Sequence, residues 1–528
     1  MRSTAGPAAS AARRRCRISG GILVVAIACL WVGAPASILA DDDLAKRTLA
    51  NAEQLLKEGK VEQALKDFEQ VTKAWPDSGV ADDSLFRMGS YYYPVDSVEG
   101  LGGASQGALA KAKDLLARIP AKYPQEDFAP RALLKLGLIA MDPVNPGRNL
   151  DEAYASFIGV VNIYPKSDVV DRALLGAGYA DLLAGRGDLA IATFERIVEE
   201  FSDSPVCEDA RFWMAEAFAR QGSYVRSMEE FQAVRSRFPN GRLSAPALDR
   251  LSMIYKTKFE PGLKKQLFEL DGAYAPQLDP NGTRGPVAIA VDDESRVHVL
   301  YQKSGTIVRL AHGGKLSSSG QPLDGGVAIS LDPKGVEVLA AGTAFRAGTH
   351  LVHPQRQERG GLKPITGLTR AVRMPDASIA LLDSDRSEIL LYKGDALNVG
   401  TLYRDSEGRV RLAGLALGAA GKLYTIDQRQ GRILEIGAGG VARAIALQEE
   451  GVRRELVDLA ADDLGTLYLL DARNDALIVA TTEGKVLQAI ASTPGTAGEF
   501  AYASAIAAGP RGEVYLYDDR RKTLLRFW

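Results

Sequence analysis

Cysteine is almost missing from this chain: Cys16, Cys29 and Cys207 are the only three in 528 residues. A disulfide framework is therefore excluded. Histidine is as scarce, and His298, His312, His350 and His353 fall in no zinc-ligand spacing with cysteine or carboxylate. Charge of one sign is not in excess either, since 64 basic residues face 66 acidic ones. Nucleic-acid binding wants a basic domain or stripe. Residues 41–262 hold 27 basic against 34 acidic groups and residues 263–528 hold 32 of each, so neither part supplies one. No apolar run reaches the about 20 residues that a membrane-crossing helix needs. No nucleophile elbow, phosphate loop, dinucleotide fingerprint or HExxH zinc motif is read, and no cofactor is expected.

The first forty residues carry five arginines and no acid. Arg13, Arg14, Arg15 and Arg17 precede the 14-residue apolar stretch GGILVVAIACLWVG (Gly20 to Gly33), and small residues follow in APASILA. This order is that of a secretory signal, with cleavage after Ala36 or Ala40. An uncleaved N-terminal anchor is the alternative, and it would be the chain's one membrane contact. Only Cys207 survives cleavage. It occupies a helix face where other repeats place Ala81 and Val170, which suits a small buried hydrophobe.

From Leu44 the apolar spacing turns helical, and one pattern recurs. It reads Ala64, Phe68, Val71, Trp75-Pro76, then Ala112, Leu116, Ile119, Tyr123-Pro124, then Ala153, Phe157, Val160, Tyr164-Pro165. Ala190, Phe194, Ile197, Phe201 and Ser227, Phe231, Val234, Phe238-Pro239 complete it. Steps of four and three put these side chains on one helical face. Proline cannot continue a helix and closes each hairpin except the fourth, where Ser202 takes its place. The pattern resembles tetratricopeptide repeats, and its aromatic-proline ending is most similar to bacterial envelope members. That resemblance implies an α-solenoid over 41–262 whose concave side grips a protein partner. Tyr91, Tyr92 and Tyr93, in the insertion between two repeats, are candidate recognition residues. Packing against the adjacent helix pair is the alternative for them.

A second phrase repeats in residues 263–528. Inner segments AIAVD (Ala288), AISLD (Ala328), AVRMP (Ala371), GLALG (Gly414), DLAAD (Asp458) and AIAAG (Ala505) are each followed by a turn and a strand. The last four of those strands end in Asp383, Asp427, Asp471 and Asp518. Six units near 40 residues, of three or four short strands each, predict a six-bladed β-propeller. The LYxxD phrase resembles NHL-repeat propellers. The sixth unit stops at its third strand, so residues 264–272 are expected to pair beside Thr523 to Phe527 and close the ring. The recurring aspartates fit turns, where a carboxylate accepts backbone amides. The glycine-rich GAGGVA (Gly437 to Ala442) reads as a hairpin between strands.

Arg373 and Asp458 stand where other inner segments have small residues, with Arg370 nearby. Charges near the axis must be paired or solvated. These three are the candidate ligand contacts of the propeller mouth, an Arg–Asp pair lining the channel being the alternative. The fold class expected is an all-α tetratricopeptide-repeat solenoid followed by an all-β propeller. The expected function is a non-enzymatic scaffold, exported to the periplasm or outer membrane, that binds protein partners of the cell envelope. A propeller enzyme (lyase or hydrolase) and a peptidoglycan- or glycan-binding module are the alternatives. The export reading has a direct check. Protein recovered from an envelope fraction should begin after Ala36 or Ala40 by intact mass, and a chain retaining Arg13 to Gly33 would mean that the segment stays as an anchor.

Overall fold

The computed structural model describes residues 36–260, 267–274, 286–292, 295–301, 305–310, 316–319, 323–331, 337–347, 350–358, 361–375, 378–393, 399–437, 439–449, 451–492, 494–495 and 499–528. The export segment lies outside them up to residue 35. Among the described residues no helix is long and apolar enough to cross a membrane.

The N-terminal half is a stack of α-helices. They are α1 (Ala36–Lys57), α2 (Val61–Ala74), α3 (Ala81–Tyr92), α4 (Gln106–Lys122), α5 (Ala129–Met141) and α6 (Leu150–Ile163). Then come α7 (Val170–Leu183), α8 (Gly187–Glu200), α9 (Cys207–Arg220), α10 (Tyr224–Arg237) and α11 (Ser244–Ile254). Each packs on the next, and α7 packs also on α5 and α9. The recurring pattern falls on the even-numbered helices from α2 to α10. Its Ala/Ser, Phe/Leu and β-branched positions, from Ala64, Phe68 and Val71 to Ser227, Phe231 and Val234, are all 0% exposed. Trp75, Tyr123, Tyr164, Phe201 and Phe238 are the residues at which these helices stop. Glycines on the neighbouring helices make room for the aromatic rings. A Cβ at Gly137 or Gly176 would sit 2.5 or 2.6 Å from the ring of Phe157, so α5 and α7 clasp that ring between them. Truncating a ring so enclosed costs about 3–5 kcal/mol.

The C-terminal half holds six four-stranded antiparallel sheets. Their inner strands are Pro286–Val291, Ala328–Leu331, Leu368–Arg373, Leu412–Leu417, Leu456–Ala461 and Ala503–Ala508. Inner strands of neighbouring blades pack on one another around the ring, including first against sixth. The sixth blade takes its outer strand from the start of the domain. Leu270–Tyr274 pairs antiparallel with Thr523–Phe527, matching Leu270 with Phe527 and Tyr274 with Leu524. This strand overlaps the expected 264–272 only at Leu270 to Gly272; residues 264–266 lie outside the described ones, and Leu267 and Phe268 are packed in the core instead. Gln488 of the fifth blade fixes that approach, accepting the Leu267 and Phe268 amides at 2.7 and 2.8 Å. Two further backbone bonds join Glu269 and Trp528. A hairpin, Gln355–Glu358 with Gly361–Pro364, is inserted between the second and third blades and was not foreseen from the sequence. Its Arg356 is buried beside Asp383 and Glu388.

The solenoid docks on one face of the propeller. Strand direction alternates within a blade, so the turns after the inner strands share a face, and those are the turns it meets. Arg250 of α11 grips Glu216 of α9 in a two-pronged pair of 2.5 and 2.7 Å, and Asp463 of the fifth blade in another of 3.1 and 3.0 Å. Lys258 donates to the Leu464 carbonyl at 2.6 Å, Arg511 pairs with Asp249 at 3.1 Å, and Arg148 reaches the Pro375 carbonyl. Leu464 itself is buried among Phe212, Met253 and Ile254.

Ring closure sets the stability of the propeller, because its loss exposes two strand edges and uncovers Leu524 and Leu525, both 0% exposed. Deleting Lys522 to Trp528 should abolish the cooperative unfolding transition of the propeller in calorimetry. A full transition retained by that truncation would show that closure does not depend on this strand.

Candidate functional site

The propeller axis is built from residues that follow a bulge. In the first, third, fifth and sixth blades the inner strand slips by one residue against its neighbour, at Pro286/Ala288, Leu368/Arg370, Leu456/Asp458 and Ala503/Ala505. A bulge re-aims the side chain beyond it. Ala288, Arg370, Asp458 and Ala505 therefore hold equivalent positions and line one central cavity. This corrects the sequence alignment of the third blade, whose inner segment starts at Arg370 rather than Ala371. Arg373 accordingly ends its strand, at the position of Val291, Leu417 and Ala461, one place beyond the small-residue position expected for it.

Arg370 donates to Asp458 at 3.1 Å across the intervening fourth blade. It passes there because that blade has Gly414. A Cβ on Gly414 would lie 2.7 Å from Leu459 and 3.2 Å from the Asp458 carboxylate, and its φ of +62° also favours glycine. Asp458 further accepts the Ile506 amide at 3.4 Å, and Arg370 donates to the Thr369 carbonyl at 2.9 Å. The pair thus ties the third blade to the fifth and sixth. The cavity beside it measures only about 60 Å³. Pockets for small molecules are several times larger, so this hub has room for water and little more.

The recurring aspartates of the propeller are held by backbone amides. Asp427 accepts the Arg429 and Arg411 amides, Asp471 those of Arg473 and Glu455, and Asp518 those of Arg520, Arg521 and Ala501. Each aspartate therefore ties its own turn to the loop that enters the blade. Burial raises the Asp471 carboxyl, but the Asn474 side chain, the Glu455 amide and Arg454 outweigh it and hold it below its ordinary value. His298 is buried against Asp292 at 3.1 Å. His353 is exposed, and His312 lies outside the described residues. Among the described residues no three His, Cys, Asp or Glu are placed to hold a metal. Gly437 to Ala442 makes the expected hairpin turn, with the Gly437 amide donating to the Val441 carbonyl. Gly103 to Gly107 does have GxSxG spacing, which the sequence reading passed over. It runs between two helices instead of from strand to helix, and Ser105 caps α4 by accepting the Ala108 amide at 3.4 Å. It is no nucleophile elbow.

In the solenoid the three tyrosines part company. Tyr91 is 45% exposed and meets Tyr92 edge-on at 5.3 Å. Tyr93 is 0% exposed and donates to Asp142 at 2.9 Å, so it is a core residue and not part of a recognition patch. The segment that follows it lies against α5, α7 and α9. Lys135 of α5, itself buried, donates to the Tyr93 and Val95 carbonyls at 3.1 and 2.9 Å and pairs with Asp96 at 2.6 Å. Burial lowers the Lys135 ammonium, with Asp96 opposing and Arg172 adding to the effect. Farther along, Arg242 pairs with Glu99 at 3.0 Å and with Asp209. Burial first, then the Glu99 charge, push the Asp209 carboxyl up to about 7. Between these two clamps lies a cavity of about 240 Å³, floored by Leu134, Leu138, Leu175 and Val206. Sequence reasoning missed Lys135, Asp209 and Arg242, since nothing in a helical pattern marks which charged residues an insertion will cover.

These elements define the class: a tetratricopeptide-repeat solenoid joined to a six-bladed β-propeller. The tetratricopeptide-repeat family model matches residues 175–242, from within α7 to the turn before α11. Among solved structures, virginiamycin B lyase from Staphylococcus aureus is similar over 48% of this chain and 82% of its own, at 16% identity and a TM-score of 0.35. A gluconolactonase from Xanthomonas campestris is similar over 49% of this chain and 98% of its own, at 11% identity and a TM-score of 0.36. A tetratricopeptide-repeat protein from Parabacteroides merdae covers 41% of this chain and 75% of its own, at 14% identity and a TM-score of 0.33. No curated protein matches the sequence.

The Glu99–Asp209–Arg242 cluster should give the solenoid a pH dependence. Folded Asp209 keeps its proton up to about 7, whereas the unfolded chain releases it near 3.8, so stability falls as pH rises across that window and levels off above it. Glu99 is held below its ordinary 4.5, so its own contribution is lost only at lower pH. Denaturant melts between pH 5 and 8 should show a slope of at most about 1.4 kcal/mol per pH unit. Asp209→Asn should flatten it, and an unchanged slope in that variant would place the titration elsewhere.

Proposed function

We propose that this chain is an exported, non-enzymatic protein-interaction scaffold of the bacterial cell envelope, periplasmic or outer-membrane-associated. Its solenoid grips one protein partner and its propeller offers a second docking face. The contrast between the two cavities carries this reading. The propeller hub is filled by small side chains and one ion pair, leaving about 60 Å³, whereas the solenoid keeps a cavity of about 240 Å³ with an apolar floor between charged clamps. Tetratricopeptide repeats generally present such curved surfaces to proteins. The arginine-led apolar segment before residue 36 supports export, and the LYxxD phrase supports an NHL-like propeller. Docking of the solenoid on one propeller face leaves the opposite face, with its Asp427, Asp471 and Asp518 turns, for other partners.

Photo-crosslinkers placed at Tyr91 and at the exposed Arg429 test both surfaces in the full-length chain. Irradiation in cells should give discrete covalent adducts with envelope proteins from at least one site. Absence of protein adducts at both, together with turnover of a small substrate by the purified chain, would favour the propeller-enzyme alternative and reject the scaffold.

A further inference from the structure

The segment Val95-Asp96-Ser97-Val98-Glu99-Gly100-Leu101 sits on the solenoid as a ligand sits in a groove. Apolar residues recur every third position, and Val95, Val98 and Leu101 are 6%, 2% and 6% exposed. A short 3₁₀ turn, Val98–Gly100, lies between the second and third of them. An acid follows each of the first two apolar residues, and each acid meets its own cation. Asp96 pairs with Lys135 of α5, and Glu99 pairs with Arg242 of the turn before α11. These partners come from distant repeats, as they would for a bound peptide.

The fit is incomplete. The cavity of about 240 Å³ borders Val98 and is walled by Leu134, Leu138, Leu175 and Val206. Valine does not reach across that volume, and a larger side chain would gain contacts with its apolar wall. Arg172 also borders the cavity, and among the described residues its guanidinium has no anionic partner.

We infer that residues 95–101 are a tethered stand-in for the partner, and that this groove recognises short acidic–apolar peptides with an apolar residue at every third position and an acid after each of the first two. A bulkier residue than valine in the central place fills the cavity, which lets a partner displace the stand-in. The inference rests on the scaffold reading and gives its solenoid partner a chemistry. Tethering holds the stand-in at an effective concentration on the order of millimolar, so the intact chain binds such peptides weakly.

The test uses the full-length protein and a fluorescein-labelled peptide of residues 94–103 with Phe in place of Val98. Replacing residues 95–101 by a Gly-Ser linker of equal length should tighten peptide binding at least tenfold over the wild type. Adding Lys135→Met to that variant should weaken it at least tenfold. A peptide with Lys in place of both acids should not bind. Equal binding of that charge-reversed peptide, or no binding by a linker variant that keeps its helical circular dichroism, overturns the inference. If the linker variant does not fold, hydrogen exchange on the wild type decides. Saturating peptide should speed exchange at the Val95 to Leu101 amides, and unchanged exchange overturns the inference. Envelope-protein adducts at Tyr91 without any peptide binding would reject the stand-in while leaving the scaffold in place.

Discussion

A guanidinium buried at the joint of two domains is the constraint on which the rest of the molecule turns. Arg250 is 7% exposed and holds one carboxylate from the solenoid, Glu216, and one from the propeller, Asp463. Burial pulls its proton affinity down, and the two acids more than reverse that, so it stays charged. Removing the guanidinium would leave Glu216, itself buried, without its cation, and costs about 3–5 kcal/mol. The two domains are therefore not independent beads on a string. The chain runs from α11 into the strand that closes the propeller ring, and Lys256 between them stands 4.1 Å from the Phe268 ring and 5.1 Å from that of Trp528. Docking and closure draw on one stretch of chain, so each restricts the other.

Docking also allots the surfaces. The turns at Asp463, Pro510 and Pro375 are taken up by the solenoid. What remains is the opposite propeller face and the solenoid groove. The hub between the propeller faces is crossed by the Arg370–Asp458 pair, which depends on a glycine at position 414. A pair buried this way is weak evidence for stability, since desolvation offsets much of the attraction. Its geometry does fix the register of the third blade against the fifth.

The fold was legible where a residue type has one physical use. Phenylalanine four residues after alanine, with proline closing the hairpin, can bury only one helical face, and every such residue proves to be fully buried. Aspartate ending the second strand suits its turn, and the amides of Arg429, Arg473 and Arg520 show that use. Errors arose where backbone geometry intervened. The one-residue slip at Arg370 follows from reading the third blade without an anchor in its inner strand, and it misplaced Arg373. The closing strand began later than foreseen because Leu267 and Phe268 are drawn into the core. Tyr93 looked like its two neighbours, but the chain leaves α3 there and turns its ring inward.

The sequence alone determined the number of repeats, the order of the two domains and the face each helix and strand would bury, because periodicity is a local property and burial follows from it. Only the tertiary structure decided which charges meet. Arg250 with Asp463, Arg370 with Asp458 and Lys135 with Asp96 join residues from different repeats or blades. Such pairings depend on curvature, bulges and insertions, which set distances in space that spacing along the chain does not encode.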